Sequence, residues 1–97
     1  MFGLIVKMRS QPGKRDELIA LLLRSTDAMP GCLNYVVARD LADLDAIWIS
    51  EVWDGEASHK ASLSLPEVQA TIAEARPLIA GFDSSVRTEP VGGVGIS

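Results

Sequence analysis

Apolar side chains recur along this chain at two different spacings, and each spacing predicts its own kind of element. Phe2, Leu4, Val6 and Met8 fall at every second position, the period of a strand over residues 2–9. The Ser10-Gln11-Pro12-Gly13 segment that follows supplies the backbone angles of a tight turn. From Lys14 the period lengthens. Leu18, Leu21, Leu22, Ser25 and Met29 recur at three and four residues, while Lys14, Arg15, Asp16, Glu17 and Arg24 point elsewhere. That pattern predicts an amphipathic helix, stopped by Pro30-Gly31 because proline cannot continue the backbone ladder. Residues 33–39 and 46–53 return to strand composition, and the polar stretch 40–45 between them is too short for a helical crossover, so the two are expected to form an antiparallel hairpin. Asp54 is expected to cap a helix running to about Ser64. Pro66 suits the first turn of a further helix, with Val68, Ile72 and Ala75 as its apolar stripe up to Arg76-Pro77. Residues 81–88, with Phe82 and Val86, read as the last strand.

The order β-α-β-β-α-β, with its second helix broken at Leu65-Pro66, predicts an α+β, ferredoxin-like fold: a four-stranded antiparallel sheet reached through right-handed crossovers, both helices on one face. Residues 1–90 make one such domain, and residues 91–97, with three glycines, read as a mobile tail or an arm that orders against a partner. A sheet covered on one face should alternate apolar and polar. Here Ile5 lies opposite the Phe2–Met8 row, and Trp48 and Val52 lie opposite Ile47, Ile49 and Trp53. Burying one large apolar side chain is worth about 1.5–3 kcal/mol, so the second face calls for a cover, and a second copy packed sheet to sheet is the simplest one. The alternative is that these side chains are only partly exposed, as apolar atoms commonly are.

Composition narrows the function. The 97 residues are 47% apolar, enough for a packed core, and carry 13 acidic against 9 scattered basic residues for a net charge of −4, which argues against a phosphate-backbone binder. Cys32 is the only cysteine, so there is no disulfide framework within the chain and no Cys-based zinc site, and a reducing, cytoplasmic setting is expected. The apolar opening is too short for a signal or membrane segment. No glycine-rich phosphate turn, P-loop, G-x-S-x-G elbow or H-E-x-x-H is present.

Six residues are candidates for chemistry, each with a plainer reading beside it. His59, the sole histidine, is the side chain suited to proton transfer near neutrality and leans back toward Trp53, although a lone helical His is more often a surface residue. Trp53 at a strand end is ordinarily core, yet it also makes a flat wall for an aromatic ligand. Glu51 shares its face and is either solvated or paired, with Arg39 or Arg76 as the partner. Ser62 is a pocket hydroxyl or is bonded back to its own helix. Tyr35 lies on the face opposite Asn34, so one of the two at most lines a given pocket, and Arg76 holds an anionic oxygen or snorkels at the surface.

The segments Pro12-Gly13-Lys14, Pro30-Gly31-Cys32-Leu33-x-Tyr35, Glu51-Val52-Trp53-Asp54, His59, Ser62-Leu63, Leu65-Pro66-x-Val68 and Arg76-Pro77-Leu78-Ile79, in this order, resemble the antibiotic biosynthesis monooxygenase family over residues 2–88. The resemblance implies a dimeric α+β barrel of two ferredoxin-like subunits. It also implies oxygenation of phenol or hydroquinone rings by O₂ without flavin, haem or metal, so that no cofactor is expected. Trp53 matches the strand-end tryptophan of the quinone-forming members, and His59 falls where a helix residue faces the pocket; Ile49 stands where those members place an Asn. Haem-degrading relatives are set aside, because the places of their iron-binding His and of their helical Trp fall near Ile72 and Ser62. The reading that follows is a homodimeric monooxygenase acting on a small aromatic substrate. His59 serves as base, Trp53 as ring wall, and Arg76, Ser62, Tyr35 and Glu51 as substrate contacts. The alternatives are a dimer that binds an aromatic metabolite without turnover and a proton-shifting isomerase.

Overall fold

The computed structural model describes residues 1–24 and 29–96. Its elements run β1 (Phe2–Ser10), α1 (Arg15–Arg24), β2 (Cys32–Arg39), β3 (Ala46–Trp53), α2 (Glu56–Ser62), α3 (Pro66–Ala75), a 3₁₀ turn (Arg76–Leu78) and β4 (Ile79–Thr88). All neighbouring strands are antiparallel in the order β2-β3-β1-β4, the α+β ferredoxin-like arrangement. The β2–β3 hairpin forms as expected, and β4 begins earlier than expected, pairing Ser10 with Ile79. The expected continuation of α1 to Pro30 runs through residues 25–28, Ser25 among them, which lie outside the described residues.

Register fixes the two faces. Val6 pairs with Ile49 and Met8 with Ile47, and these four side chains, with Leu18 of α1 and Ala75 of α3, form the buried core under the helices. Leu18 is wholly buried. Arg15 ties α1 to the hairpin loop: its Nη1 donates to the carbonyls of Asp43 at 2.9 Å and Asp40 at 3.2 Å. Pro66 opens α3 at a position where its missing N–H costs nothing. The stripe of α3 differs from expectation, since Thr71 and Ala75 are buried while Ile72 is exposed.

The start of α2 also differs. Gly55, not Asp54, is the N-cap residue, in extended backbone and with no side-chain cap bond; the Asp54 N–H instead donates to the Gly31 carbonyl at 2.9 Å. Gly31 has φ +85°, and a Cβ there would lie 2.6 Å from the Ser58 Cβ. A side chain at this position would be strained and would also push α2 off the strand ends, so the glycine sets how closely α2 sits over Trp53. Beyond Ser62 the chain tightens: the N–H groups of Leu63, Ser64 and Leu65 donate to the carbonyls three residues back.

The opposite, outer face carries Ile5, Val36, Trp48 and Val86, exposed at 39%, 48%, 38% and 52%. The C-terminal residues lie across one end of it. A Cβ on Gly3 would meet Pro90 at 2.9 Å, and Gly95 lies near the Asn34 amide, so the segment follows the row in which Gly3, Val52 and Asn34 pair. The tail is therefore placed against its own sheet, and the apolar centre of that face stays uncovered. Among the described residues, no helix is long and apolar enough to cross a membrane.

Candidate active site

Between the helix face of the sheet and the helices lies a cavity of about 240 Å³. Most of its wall is apolar: Val6, Met8 and Ile49 form the floor, Leu22, Met29 and Val68 the roof, and Leu63, Ile72 and Phe82 line it while also being exposed. Its titratable lining residues are Tyr35, Glu51 and His59. Of the six residues singled out in the sequence, Trp53, His59, Glu51, Tyr35 and Ser62 line this cavity together. Arg76 does not; it opens the 3₁₀ turn after α3 and is exposed.

The end of β3 and the start of α2 build the polar corner. Trp53 is 1% exposed, and its ring meets the His59 imidazole edge-on at 5.4 Å; Phe2, paired with Trp53 across the sheet, lies 5.4 Å from the same imidazole. The expected meeting of His59 and Trp53 is thus present, and Phe2 completes an aromatic frame around the imidazole. Phe2 was read from the sequence only as one of the alternating apolar row of the first strand, since nothing local says which strand neighbour a helix side chain will touch.

Glu51 is paired neither with Arg39 nor with Arg76. Arg39 bonds Asp16 at 3.0 Å, and the Glu51 Oε1 instead accepts from the Trp53 Nε1–H at 3.0 Å. The two residues alternate onto one face of β3, so strand geometry itself brings acid and indole together. Burial pushes the Glu51 carboxyl above its usual range, against the weaker lowering effects of the Trp53 bond and nearby His59. Tyr35 pairs with Glu51 across the hairpin, and burial, then the Glu51 charge, pushes its phenol well up. The Ser62 hydroxyl donates to the His59 carbonyl at 2.6 Å, the plainer of its two readings. Thr71, read from sequence as neither core nor site, lines the cavity and accepts from Arg24 Nη2 at 3.2 Å. Among the described residues, no group of three or more His, Cys, Asp or Glu is placed to hold a metal ion.

A ferredoxin-like sheet with a mostly apolar cavity between its helix face and the helices defines a small α+β protein. Comparison with known proteins places this fold in a family. The model of the antibiotic biosynthesis monooxygenase family matches residues 1–74, and a candidate antibiotic biosynthesis monooxygenase from Chloroflexus aurantiacus is 62% identical, covering 99% of this chain and 98% of that one at a TM-score of 0.95. The chain belongs to the antibiotic biosynthesis monooxygenase family. Two more distant structures share the fold: a candidate member from Deinococcus radiodurans at 24% identity (100% and 99% covered, TM-score 0.78) and Rv0793 from Mycobacterium tuberculosis at 20% (96% and 97% covered, TM-score 0.77). No curated protein matches the chain.

Proposed function

We propose that the protein is a cofactor-independent monooxygenase that oxidises a phenol or hydroquinone of one or two rings to a quinone with O₂, working as a homodimer joined through the outer sheet face. The observation that carries this reading is the apolar cavity in which Trp53, His59 and Glu51 converge. An apolar cavity of about 150 Å³ admits benzene in another protein, so about 240 Å³ suits one ring or two fused rings rather than a long polycycle. Trp53 offers an aromatic wall and the floor is apolar, which favours an electron-rich ring over a sugar or a phosphate. The exposed row Ile5, Val36, Trp48 and Val86 supports the dimer.

For a phenol the reaction balances without an added reductant. One oxygen atom of O₂ becomes the second ring carbonyl, the other leaves as water, and the ring supplies all four electrons. The same balance carries a hydroquinone to a hydroxyquinone. Two protons leave the ring, one from the hydroxyl and one from the carbon that is oxygenated, so the site needs proton acceptors rather than a redox group. His59 is one such acceptor, worth about 10²–10⁴ in rate.

An oxygen electrode tests this directly. With 1-naphthol or a naphthohydroquinone, O₂ uptake above that of the heat-denatured protein is expected, and it should fall by about 10²–10⁴ in His59→Ala. No uptake over a panel of one- and two-ring phenols would overturn the oxygenase. One observation favours a second reading: Ile49 in the cavity wall gives no hydrogen-bond donor where the quinone-forming members carry an Asn. A dimer that binds an aromatic metabolite without oxidising it would bind the same naphthols and consume no O₂. A proton-shifting isomerase would act on a ketone under strict anaerobiosis.

A further inference from the structure

We propose that Glu51 is a second catalytic residue of this cavity: it receives the hydroxyl proton of the bound ring, which leaves His59 for the later proton from carbon. The inference rests on the phenol-binding reading above and extends it to a residue that the sequence marked only as a substrate contact.

The geometry is that of a held base. Glu51 lies in mid-strand on β3, its backbone fixed on both sides by pairing with Leu4 of β1 and Tyr35 of β2. One carboxylate oxygen is pinned by the Trp53 indole N–H at 3.0 Å, and the other has no protein hydrogen bond among the described residues. A ring stacked against Trp53 would bring its hydroxyl to a carboxylate that the same tryptophan orients. Among the described residues, no Lys or Arg lines the cavity. Among the described residues, the titratable groups around Glu51 are Tyr35 and Cys32 from β2 and His59 from α2, and the described parts of α1, α3 and β4 contribute no charged residue to the lining. Tyr35 and Cys32 are both held protonated by burial, so they do not compete for the proton at neutral pH. Burial also raises the proton affinity of Glu51 itself, bringing it closer to that of a phenol, which is the direction in which a general base gains. In the step proposed, the O–H bond of the ring hydroxyl breaks with its electron pair left on oxygen. The proton forms a bond to the free oxygen of Glu51, and the ring is left as the phenolate that O₂ subsequently oxidises.

The test reads binding rather than turnover. The probe is 2-naphthol, which stays neutral from pH 4 to 8, titrated into the full-length protein and followed by its own fluorescence. A hydroxyl donating to ionised Glu51 makes a charge-assisted bond that is lost when the carboxylate takes a proton, so affinity should fall about tenfold as the pH drops through the Glu51 titration. Glu51→Gln keeps the size and an oxygen for the Trp53 indole, and its affinity should be flat over the same range. 2-Methoxynaphthalene has the same ring and no donor, and should show no acid limb with either protein. Glu51→Asp keeps a titrating carboxylate and should restore the limb at a shifted pH, which guards against a Gln variant that folds poorly. An acid limb unchanged in Glu51→Gln, or an equal limb with 2-methoxynaphthalene, overturns the assignment. Loss of the limb in Glu51→Gln without any O₂ uptake by the wild type would uphold Glu51 as the hydroxyl acceptor and reject the oxygenase. O₂ uptake with no Glu51-dependent limb would do the reverse.

Discussion

The two tryptophans of β3 make the same bond on opposite faces of the sheet, and the consequences are opposite. Trp53 donates its indole N–H to Glu51 at 3.0 Å under the helices, and Trp48 donates its own to Asp40 at 2.8 Å on the outer face. Under the helices burial wins, and the Glu51 carboxyl is pushed above its usual range. On the outer face of the single chain the Trp48 bond wins, helped by the Ala42 and Asp43 N–H groups and by Lys7, and Asp40 is lowered to about 2. Lys7 also sits over the Trp48 ring at 5.4 Å, while no Lys or Arg of the described residues lines the other face's cavity. A hydrogen bond from an indole therefore does not by itself set the charge of its acid. Within one chain burial decides, and it makes Glu51 the better proton acceptor while Asp40 stays charged.

The largest effect should come from removing the buried tryptophan. Trp53→Ala is expected to cost about 3–5 kcal/mol in urea denaturation, through lost burial and the cavity left behind. Trp48→Ala, measured on the monomer, should cost well below that range. Next in size is the assembly. If the proposed dimer forms, the wild type should elute as a dimer at micromolar concentration and Ile5→Asp or Trp48→Asp as a monomer; a monomeric wild type would remove the proposed role of the outer face.

Smaller and of opposite sign are two pH effects. The folded state raises the Glu51 value above its ordinary 4.5, so the native protein binds more protons in that window, and stability should fall as pH rises from there through the folded value. Glu51→Gln should remove that slope and leave the protein somewhat more stable than wild type at neutral pH, read as a shift in urea midpoint. Asp40 acts the other way. Its contribution is present above its ordinary 3.8 and is lost as pH falls toward about 2, so Asp40→Asn should flatten only the acid end of the profile. Being only partly buried, it should move the midpoint least.

Much of the fold was legible because strand alternation and helix period are local. Ile5 and Trp48 could be set opposite Val6 and Ile47 by counting, and the register agrees. The chemistry of the site was less legible because it depends on which elements meet. Glu51 looked like a carboxylate in need of an arginine, and only the fold shows that Arg39 is taken by Asp16 while the indole two residues away supplies the bond. Arg76 ends in the exposed 3₁₀ turn because α3 closes at Ala75, directly before it. Asp54 fits the rule for an N-cap, yet the close approach of Gly31 draws its N–H into a loop bond and shifts the helix start to Gly55. Phe82 and Met29 reach the cavity from β4 and from the segment before β2, distances that no local pattern carries.

The division of labour between the faces is tested most directly by the two indole N–H signals of ¹⁵N-labelled protein in a titration with 2-naphthol, repeated on dilution. The Trp53 signal should move with naphthol while that of Trp48 stays, and dilution through dimer dissociation should move the Trp48 signal and leave that of Trp53. Naphthol shifting Trp48 and not Trp53 would contradict the account, because the guest would then sit on the face assigned to the second chain.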